Sequence, residues 1–365
     1  MIRVGIIGTG VGLRTHLPAF RELAGVDVVA LAGSSVERAR EFAQSHSIKY
    51  AMDARSLCLL PEIDLVCVTS PNPYHRAQVE EALVAGKHVL CEKPLAMNLQ
   101  ETCELSTIAR ERPTQLSLIN HQLRFNPYIM KVRDMIANGA IGRPYYLRMH
   151  QQSTAFAERQ APWTWSFDSH QGGGVRLAIG SHQIDLLHYW FGESAVTVQG
   201  AMDPVVRERR GIDGVVTAVK ASGFFSAALE LESGMSVHLS ATAASCGQPA
   251  FDFSLYGEEG ELHFDLTRKL RGAFLSNRGA VEPITVTGVT ERERENKVSI
   301  FSGSFVYFAP AIVKSLESGD WSDLAPAARF ADAYKAQVVL DALAAAANQG
   351  TMQRLSGNET NHGYV

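Results

Sequence analysis

The first 120 residues alternate short apolar runs with segments of helical periodicity, and this alternation constrains the fold most strongly. The apolar runs lie at Ile2–Gly8, Val26–Ala32, Asp64–Thr69 and His88–Cys91. Helical spacing lies between them, over Leu13–Ala24, Val36–Ser45 and about Tyr74–Ala85. Strands without polar alternation are buried on both faces, as in a parallel sheet covered by helices. Residues 1–121 are therefore predicted to form a doubly wound α/β domain that binds a nucleotide.

Beyond residue 121 the pattern changes to polar–apolar alternation, which predicts a second, α+β domain over residues 122–365 with a large, mostly antiparallel sheet. The alternating runs are Arg143–Gln151, Ala195–Met202, Gly214–Glu232, Met235–Ala243, Phe251–Tyr256 and Glu261–Leu266. An alanine-rich segment, 332–348, predicts a closing helix and is a candidate to pack back on the first domain. The charged runs Arg207–Arg210 and Glu291–Lys297 are interpreted as solvated loops.

Composition excludes several classes of protein. The 365 residues carry 34 Lys and Arg against 38 Asp and Glu, a net charge of −4, so no nucleic-acid partner is predicted. The apolar runs fall short of the ~20 residues that a membrane span needs. The N-terminus enters a strand at once, and five cysteines form no CxxC pair. We therefore expect a cytoplasmic protein with reduced thiols and, since the histidines lack ligand spacing, no metal.

The loop after the first strand reads GTGVGLRTH and predicts a dinucleotide site. Glycine there permits a tight turn and lets backbone N–H groups approach a pyrophosphate at a helix N-terminus. The third small position of the GxGxxG pattern is a leucine, and a glycine stands one residue earlier. The predicted cofactor contacts in this loop are Gly8, Gly10, Val11, Gly12 and Leu13.

The end of the second strand bears on the choice between NADP and NAD. NAD sites usually place an acid there for the ribose hydroxyls, whereas this chain has Gly33, Ser34 and Ser35. Two hydroxyls and Arg38 could bind a 2′-phosphate, so the sequence favours NADP and leaves NAD open. Alternatively, Arg38 is only a surface residue of the following helix.

Four further motifs carry a resemblance to a known family: GKHVLCEKPLAMN from Gly86, SPNPYH at 70–75, RFNP at 124–127 and GGGVRLAIGSH from Gly172. With the glycine loop, they make the chain resemble the glucose–fructose oxidoreductase/inositol dehydrogenase (Gfo/Idh/MocA) family over nearly its whole length. The resemblance implies a nicotinamide-dependent oxidoreductase acting on a sugar, cyclitol or similar polyol. It also implies a first domain that holds the cofactor and a sheet whose open face covers the substrate. The further cofactor contacts that it implies are Ser70, Pro71, Asn72, His75, Glu92, Lys93 and Arg124.

The same resemblance implies that Lys93 polarises the reacting oxygen and that His182 relays a proton and binds a substrate hydroxyl. A lysine with a lowered pKa can accept a proton from an alcohol or donate one to a ketone oxygen. The family usually has an aspartate four residues before the histidine, and Ala178 stands there. On an α-helix, Ala178 and Asp185 would share a face with an exposed His182. Asp185 can orient the imidazole, but it is not clearly a replacement for the aspartate.

Other residues near the glycine run are candidate substrate contacts. Arg176 binds an acidic substrate group in one interpretation and points to the other side of the helix in the alternative. In the preceding loop, Trp163, Trp165 and Asp168 could line a sugar face, since aromatic rings stack on the C–H side of pyranoses. Packing of the tryptophans in the core is an equal alternative. His170 is a further candidate donor.

Three functional hypotheses remain open at this point. The chain is a dehydrogenase or reductase in which Lys93 and His182 suffice, an enzyme with internal redox chemistry on a bound cofactor, or a cofactor-binding sensor that has lost turnover. The chain has Lys93 although alanine replaces the aspartate at position 178, and this favours the dehydrogenase or reductase hypothesis. We also predict a homodimer or homotetramer that pairs through the far face of the sheet, with apolar residues such as Val237 and Leu239 on that face.

Overall fold

The computed structural model describes residues 1–355, which form parts of two compact units. The first unit comprises Met1–Asn126 and Val298–Tyr334, and the second comprises Pro127–Lys297 and, within the described residues, 335–355. Residues 332–348 were a candidate to pack back on the first domain, but no pattern in the sequence indicated that residues 298–331 belong to the first unit. The long last helix crosses this division, because its first turn belongs to one unit and its remainder to the other.

The first unit contains a six-stranded parallel sheet in the order β3-β2-β1-β4-β5-β6. The strands are β1 (Ile2–Ile7), β2 (Val26–Ala32), β3 (Tyr50–Met52), β4 (Leu65–Val68), β5 (His88–Cys91) and β6 (Ser117–Ile119). All four residues of β4 are buried, as expected for a strand covered on both faces. The order reverses direction beside β1, which places the ends of β1 and β4 at a crevice for ligands. This confirms the predicted doubly wound fold.

Ten α-helices are assigned within residues 1–355. They are α1 (Leu17–Arg21), α2 (Val36–Ser45), α3 (Ala54–Leu59), α4 (His75–Val84), α5 (Leu99–Arg110), α6 (Pro127–Ala137), α7 (Ser181–Phe191), α8 (Glu291–Arg294), α9 (Ile300–Ser318) and α10 (Phe330–Gln349). One side of the first sheet packs with Phe305, Phe308 and Ile312 of α9. The other side packs with α3, α4 and the first turn of α10. The first unit therefore completes its core with residues from the far end of the chain.

The second unit is built on a nine-stranded, mostly antiparallel sheet, as predicted. Its order is β16-β15-β14-β13-β7-β12-β11-β8-β17, and the β7–β12 pair is parallel. A separate pair joins β9 to β10. The strands are β7 (Pro144–Gln152), β8 (Ala195–Asp203), β9 (Glu208–Arg210), β10 (Val216–Ala218), β11 (Phe224–Leu231), β12 (Ser236–Thr242), β13 (Ala250–Gly257), β14 (Gly260–Asp265), β15 (Lys269–Phe274), β16 (Glu282–Pro283) and β17 (Gln353–Arg354).

One face of this sheet is covered by helices, and the other is open. On the covered face, Trp190 of α7 packs edge-on against Phe253 at 5.0 Å between ring centroids, and its Nε1 donates to Ile129 O at 3.2 Å. Val237 and Leu239 are buried on this side. Their placement on an exposed face was wrong, because the intervening residues Ser236 and His238 point outward instead.

The two charged runs are exposed as expected except at one residue in each, and each contains a short strand or helix. Arg209 lies in strand β9 with 2% of its surface exposed, and its guanidinium donates to the carbonyls of Phe156, Glu158 and Ala161. In the second run, Glu293 lies in the short helix α8 and is 3% exposed. Charge patterning failed here because hydrogen bonds to backbone carbonyls offset the cost of burying the Arg209 cation. No helix among residues 1–355 has both the length and the apolar character needed to cross a membrane.

Candidate active site

The glycines of the first loop meet different steric demands. Gly8 has φ +117°, and a Cβ there would lie 2.5 Å from Thr69 O, so no other residue fits. Gly12 opens a π-helical turn, 12–16, and a Cβ on it would lie 2.5 Å from Ile6 Cγ2. Gly12 therefore provides the close helix–strand approach that the GxGxxG pattern assigns to the position of Leu13. Leu13 itself packs against the core.

Gly10 shows where a ligand can approach. A Cβ added to Gly10 would meet no atom within 4 Å, so nothing within the chain requires glycine there. The neighbouring Val11 is exposed. The open space lies at the carboxyl end of β1 and the start of a helix, which is where a dinucleotide pyrophosphate binds in this type of fold. The residues present fit such a cofactor.

The end of β2 is shaped by helix capping as well as by any cofactor. Ser35 is the N-cap of α2, and its Oγ accepts a hydrogen bond from Arg38 N at 3.2 Å. The Arg38 guanidinium lies over the Phe42 ring, 5.5 Å from its centroid. A Cβ on Gly33 would lie 3.2 Å from Ala39 N, so an acid at that position would be crowded. Ser34 is exposed and is the hydroxyl least committed to the protein.

A buried polar cluster surrounds Glu92 at the carboxyl end of β5. Glu92 Oε1 accepts a hydrogen bond from Asn120 Nδ2 at 2.7 Å and lies 3.1 Å from His16 Nε2. His16 in turn stacks on Phe305 at 4.2 Å. Burial raises the pKa of Glu92, but hydrogen bonds from His16 and Asn120 and the charges of His16 and Lys93 bring it down to about 2. Glu92 is therefore a fixed negative charge beside Lys93.

Lys93 follows Glu92 and is half-buried. Its backbone N donates to Glu92 Oε2 at 3.3 Å, and its peptide bond to Pro94 is cis. Burial lowers the pKa of Lys93, and the Glu92 charge partly opposes that shift. A lysine with a lowered pKa gives up its proton more readily than an ordinary lysine, which is the property that an acid–base residue needs.

Two other predicted cofactor contacts are tied into the protein. His75 is fully buried, with Nδ1 2.8 Å from Pro94 O and Nε2 2.8 Å from Ser70 O. Burial lowers its pKa, and a neutral imidazole donates to one of these carbonyls at a time. His75 therefore connects the loop at Ser70 to the loop after Lys93. Pro71 and Asn72, which follow Ser70, begin a short 3₁₀ helix. Arg124 is buried in the first unit and pairs with Asp332 at 3.2 Å.

The three glycines that precede α7 are explained by packing. Gly172 has φ +76° and ends a short 3₁₀ helix, 169–171. A Cβ on Gly173 would lie 2.3 Å from Ser166 O, and one on Gly174, with φ +97°, would lie 2.8 Å from Ser222 N. This loop therefore needs glycine to let three backbone segments approach one another.

His182 and Asp185 lie one turn apart in α7, and both are buried, with 4% and 1% of their surfaces exposed. The expectation of an exposed His182 was wrong, because α7 is buried along most of its length. Ala178 is exposed and lies in a π-helical segment, Arg176–Gly180, rather than in a regular α-helix. A π-helix bonds residue i to i+5, so the simple i+4 relation between Ala178 and His182 does not hold.

Arg176 is directed toward α10. Its Nη1 donates to Leu340 O at 3.0 Å and lies 3.4 Å from Asp341 Oδ1. In the preceding loop, Asp168 caps the 169–171 helix by accepting from the backbone N of His170 at 3.0 Å. Trp165 and His170 are exposed, and Trp163 is half-buried. Asp168 thus has a structural role that its sequence context did not reveal.

The sequence analysis did not identify His16 and Asn120 as site residues. Both are fully buried and hold Glu92. A signal for Asn120 was present, since it follows a strand of the parallel sheet, where functional side chains collect. Nothing about His16 distinguishes it locally from a helix surface residue. Among residues 1–355, no group of three or more His, Cys, Asp or Glu side chains is arranged to hold a metal ion.

Comparison with known proteins gives two family matches and several relatives. Residues 2–120 match an oxidoreductase family with an NAD-binding Rossmann fold, and residues 129–263 match the GFO/IDH/MocA C-terminal domain. The 1,5-anhydro-D-fructose reductase of Ensifer adhaerens is 33% identical over 230 residues, covering 60% of this chain and 66% of that protein.

Two solved structures share the fold at low sequence identity. Levoglucosan dehydrogenase in complex with NADH and levoglucosan has a TM-score of 0.85 at 23% identity, covering 97% of this chain and 99% of that one. A super-repressor mutant of Gal80p from Saccharomyces cerevisiae has a TM-score of 0.81 at 16% identity, with full coverage of both chains.

Proposed function

Since the chain belongs to the Gfo/Idh/MocA family of NAD-binding oxidoreductases, we propose that it transfers a hydride between a nicotinamide cofactor and a sugar, cyclitol or related polyol. The names of two relatives support this substrate class, because one is a reductase of 1,5-anhydro-D-fructose and another is a dehydrogenase of levoglucosan. The observation that carries the proposal is Lys93, a half-buried lysine held beside the charged and buried Glu92 at a strand end of the Rossmann unit.

Lys93 is the proposed acid–base residue. An alcohol loses its hydroxyl proton as its carbon loses hydride, and a lysine amine can accept that proton. In the reverse direction the ammonium polarises the ketone oxygen and protonates it. Glu92 sets how readily the amine is protonated, because its charge opposes the effect of burial. His16 and Asn120 hold Glu92 in place and keep it ionised.

Bound nicotinamide would supply or accept the hydride. The residues proposed to hold the cofactor lie in three sets. These are Gly8, Gly10, Val11, Gly12 and Leu13 of the first loop, Ser34, Ser35 and Arg38 at the ribose, and Ser70, Pro71, Asn72, His75 and Arg124. NADP remains the preferred form, since β2 ends without an acid that would repel a 2′-phosphate. Of the two serines, Ser34 is the better hydrogen-bond donor to a 2′-phosphate, because the Ser35 hydroxyl caps α2.

His182 is the proposed second proton carrier, oriented by Asp185 in the same buried helix. Ala178 supplies no carboxylate, so the proton chemistry rests on Lys93 and His182. Trp163, Trp165, Asp168 and Arg176 stay candidate substrate contacts. The bonds of Arg176 to α10 favour the alternative in which its side chain points to the other side of the helix.

A cofactor-binding sensor without turnover is the second candidate. Two observations favour it: the alanine at position 178 and the shared fold with Gal80p, whose solved form is described as a super-repressor. Lys93 and its buried network are retained, however, and a decayed site would not need them.

Replacing Lys93 by Met tests the proposed function. Turnover with NADPH should fall by about 10²–10⁴-fold, the range typical of general acid–base groups, whereas NADPH affinity should change little. Absorbance assays would use levoglucosan, 1,5-anhydro-D-fructose and a panel of other sugars, and fluorescence titration would report cofactor binding. Lys297→Met is the matched control, since Lys297 is a surface residue. Tight NADPH binding by the natural chain without turnover on any substrate would establish the sensor instead.

A further inference from the structure

The second unit contains a cavity of about 390 Å³ whose lining includes none of the residues proposed for cofactor binding or proton transfer. It is lined by Arg176 and Lys220, by the hydroxyl-bearing Ser169 and Ser222, and by Asp203 and Asn348. A volume of this size exceeds that of a single water molecule, about 30 Å³, and falls within the lower range of small-molecule sites. Its lining therefore decides which ligand it suits.

Arg176 lines this cavity with a cation, and some of the N–H donors of its guanidinium are not used within the described part of the protein. Only 18% of its side chain is exposed, and Nη1 makes its side-chain hydrogen bonds to Leu340 O and Asp341 Oδ1. Nε and Nη2 make no hydrogen bond within residues 1–355. The Asp341 carboxylate lies 3.4 Å away, and the same oxygen accepts from Gln337 Nε2 at 2.8 Å. Burial lowers the pKa of Arg176, and the charge of Asp341 and its hydrogen bond partly oppose that shift.

Lys220 adds a second cation. Its backbone is fixed, because its N–H donates to Phe167 O at 3.0 Å. Among residues 1–355 no carboxylate lies within 4 Å of its Nζ. The one acid in the lining, Asp203, is already engaged, since its Oδ2 accepts from Arg207 Nη2 at 2.8 Å and its Oδ1 from Val205 N at 2.6 Å. The residues that line the cavity therefore carry two cations against one carboxylate.

We propose that this cavity binds a small oxyanion, an organic carboxylate or a phosphate monoester, between Arg176 and Lys220. The planar Nε–Nη2 edge of a guanidinium matches two oxygens of either group, and the lysine contributes a point charge. Ser169 and Ser222 offer hydroxyl donors at the wall. The site lies in the second unit, whereas the glycine loop lies in the first, and the inference does not depend on the proposed redox activity.

Calorimetric titration of the full chain with inorganic phosphate and with malonate tests the site. Ionic strength is held constant with sodium chloride, and each titration is repeated with saturating NADPH so that phosphate cannot report the dinucleotide loop. We expect saturable binding of at least one probe with and without NADPH, and the probe that binds more tightly identifies the anion class. Glycerol, a neutral molecule of similar size, should not bind.

Two variants and a control locate that binding. Arg176→Gln and Lys220→Gln should each weaken the binding at least tenfold, and Arg268→Gln, an exposed arginine outside the cavity, should leave it unchanged. The Lys220 side chain makes no hydrogen bond or ion pair within residues 1–355, so its variant remains informative if Arg176→Gln destabilises the contact with α10. Absence of saturable binding to the natural chain, or binding that survives Lys220→Gln undiminished, would overturn the proposal.

Discussion

At the scale of single residues, the chemistry depends on how Glu92 stays charged inside the protein. A buried carboxylate ordinarily becomes neutral, but His16 and Asn120 supply donors and Lys93 supplies a charge. The folded pKa of Glu92, about 2, lies below its ordinary value of 4.5. The stability that follows is present above pH 4.5 and is lost as the pH falls through about 2.

Glu92→Gln should therefore change both stability and catalysis in a pH-dependent way. Near neutral pH, the variant should be less stable by about 3 kcal/mol, the linkage value of this pKa difference. That difference from the natural chain should shrink as the pH falls from 4.5 toward 2, when measured by urea unfolding. Loss of the negative charge should also lower the pKa of Lys93, so the acidic limb of the rate profile for alcohol oxidation should move to lower pH.

The control for this change is Glu22→Gln, since Glu22 is an exposed acid of the same unit. It should alter neither the pH dependence of unfolding nor the rate profile. If Glu92→Gln leaves the rate profile in place while lowering stability, Glu92 has a structural role only.

Ala178→Asp tests whether the missing carboxylate limits the enzyme. Ala178 is exposed, so the variant should fold with little change in Tm. We expect turnover on neutral sugars to rise, because the variant restores a carboxylate at the position where the family usually has an aspartate. Ala178→Asn has the same size without the charge and should not show the increase. Loss of turnover in both variants would instead indicate that alanine makes room for a bulky substrate group.

At the scale of elements, the β2–α2 junction shows how one short segment meets two demands. Ser35 caps the helix and Gly33 admits its close approach, which leaves Ser34 as the position where cofactor choice can be altered without structural cost. Close packing likewise explains the GGG segment, because the absence of a Cβ on Gly173 and Gly174 lets the backbone of Ser166 and Ser222 approach.

Ser34→Asp should shift cofactor preference from NADPH toward NADH. The natural chain should bind NADPH more tightly, and the added carboxylate should repel a 2′-phosphate while accepting bonds from ribose hydroxyls. Fluorescence titration measures both dissociation constants. Ser34→Ala removes the hydroxyl without adding charge and should weaken NADPH binding only slightly. A natural chain that binds NADH tenfold more tightly than NADPH would show that the NADP inference is wrong.

At the scale of the whole molecule, the open face of the large sheet is not covered by any helix or strand within residues 1–355. It is polar and aromatic: Tyr146 stacks with Tyr256 at 5.7 Å and meets His238 at 5.6 Å. Tyrosine is enriched at the cores of protein interfaces. We predicted pairing through the far face, on which Val237 and Leu239 were placed, but both residues lie in the core. The open face is therefore the surface at which we expect the homodimer or homotetramer to pair.

Light scattering should give a mass at least twice the 39.8 kDa of one chain at micromolar concentration. Tyr146→Asp should raise the dissociation constant of the oligomer at least tenfold, because the added charge would be buried in the interface. Tyr145→Asp is the matched control, since alternate residues of a strand point to opposite faces. A monomeric natural chain would contradict the prediction.

Periodicity and motif spacing alone determined the fold class and most of the individual elements. Strands β2 and β5 and helix α2 match their predicted bounds, because each is a local pattern bounded by clear breaks. The glycine spacing also pointed to the residues of the first loop, because the backbone conformation that they need is a local property. Lys93 was identified through the resemblance to the family.

Tertiary structure decided what depends on partners distant along the chain. The burial of Arg209 requires carbonyls some fifty residues away, and the charge of Glu92 requires His16 and Asn120 from other elements. The return of residues 298–334 to the first core and the direction of the Arg176 side chain are of the same kind. A sequence pattern records the period of one element, whereas burial, hydrogen bonding and pKa depend on which elements meet, so these properties emerged only from the folded chain.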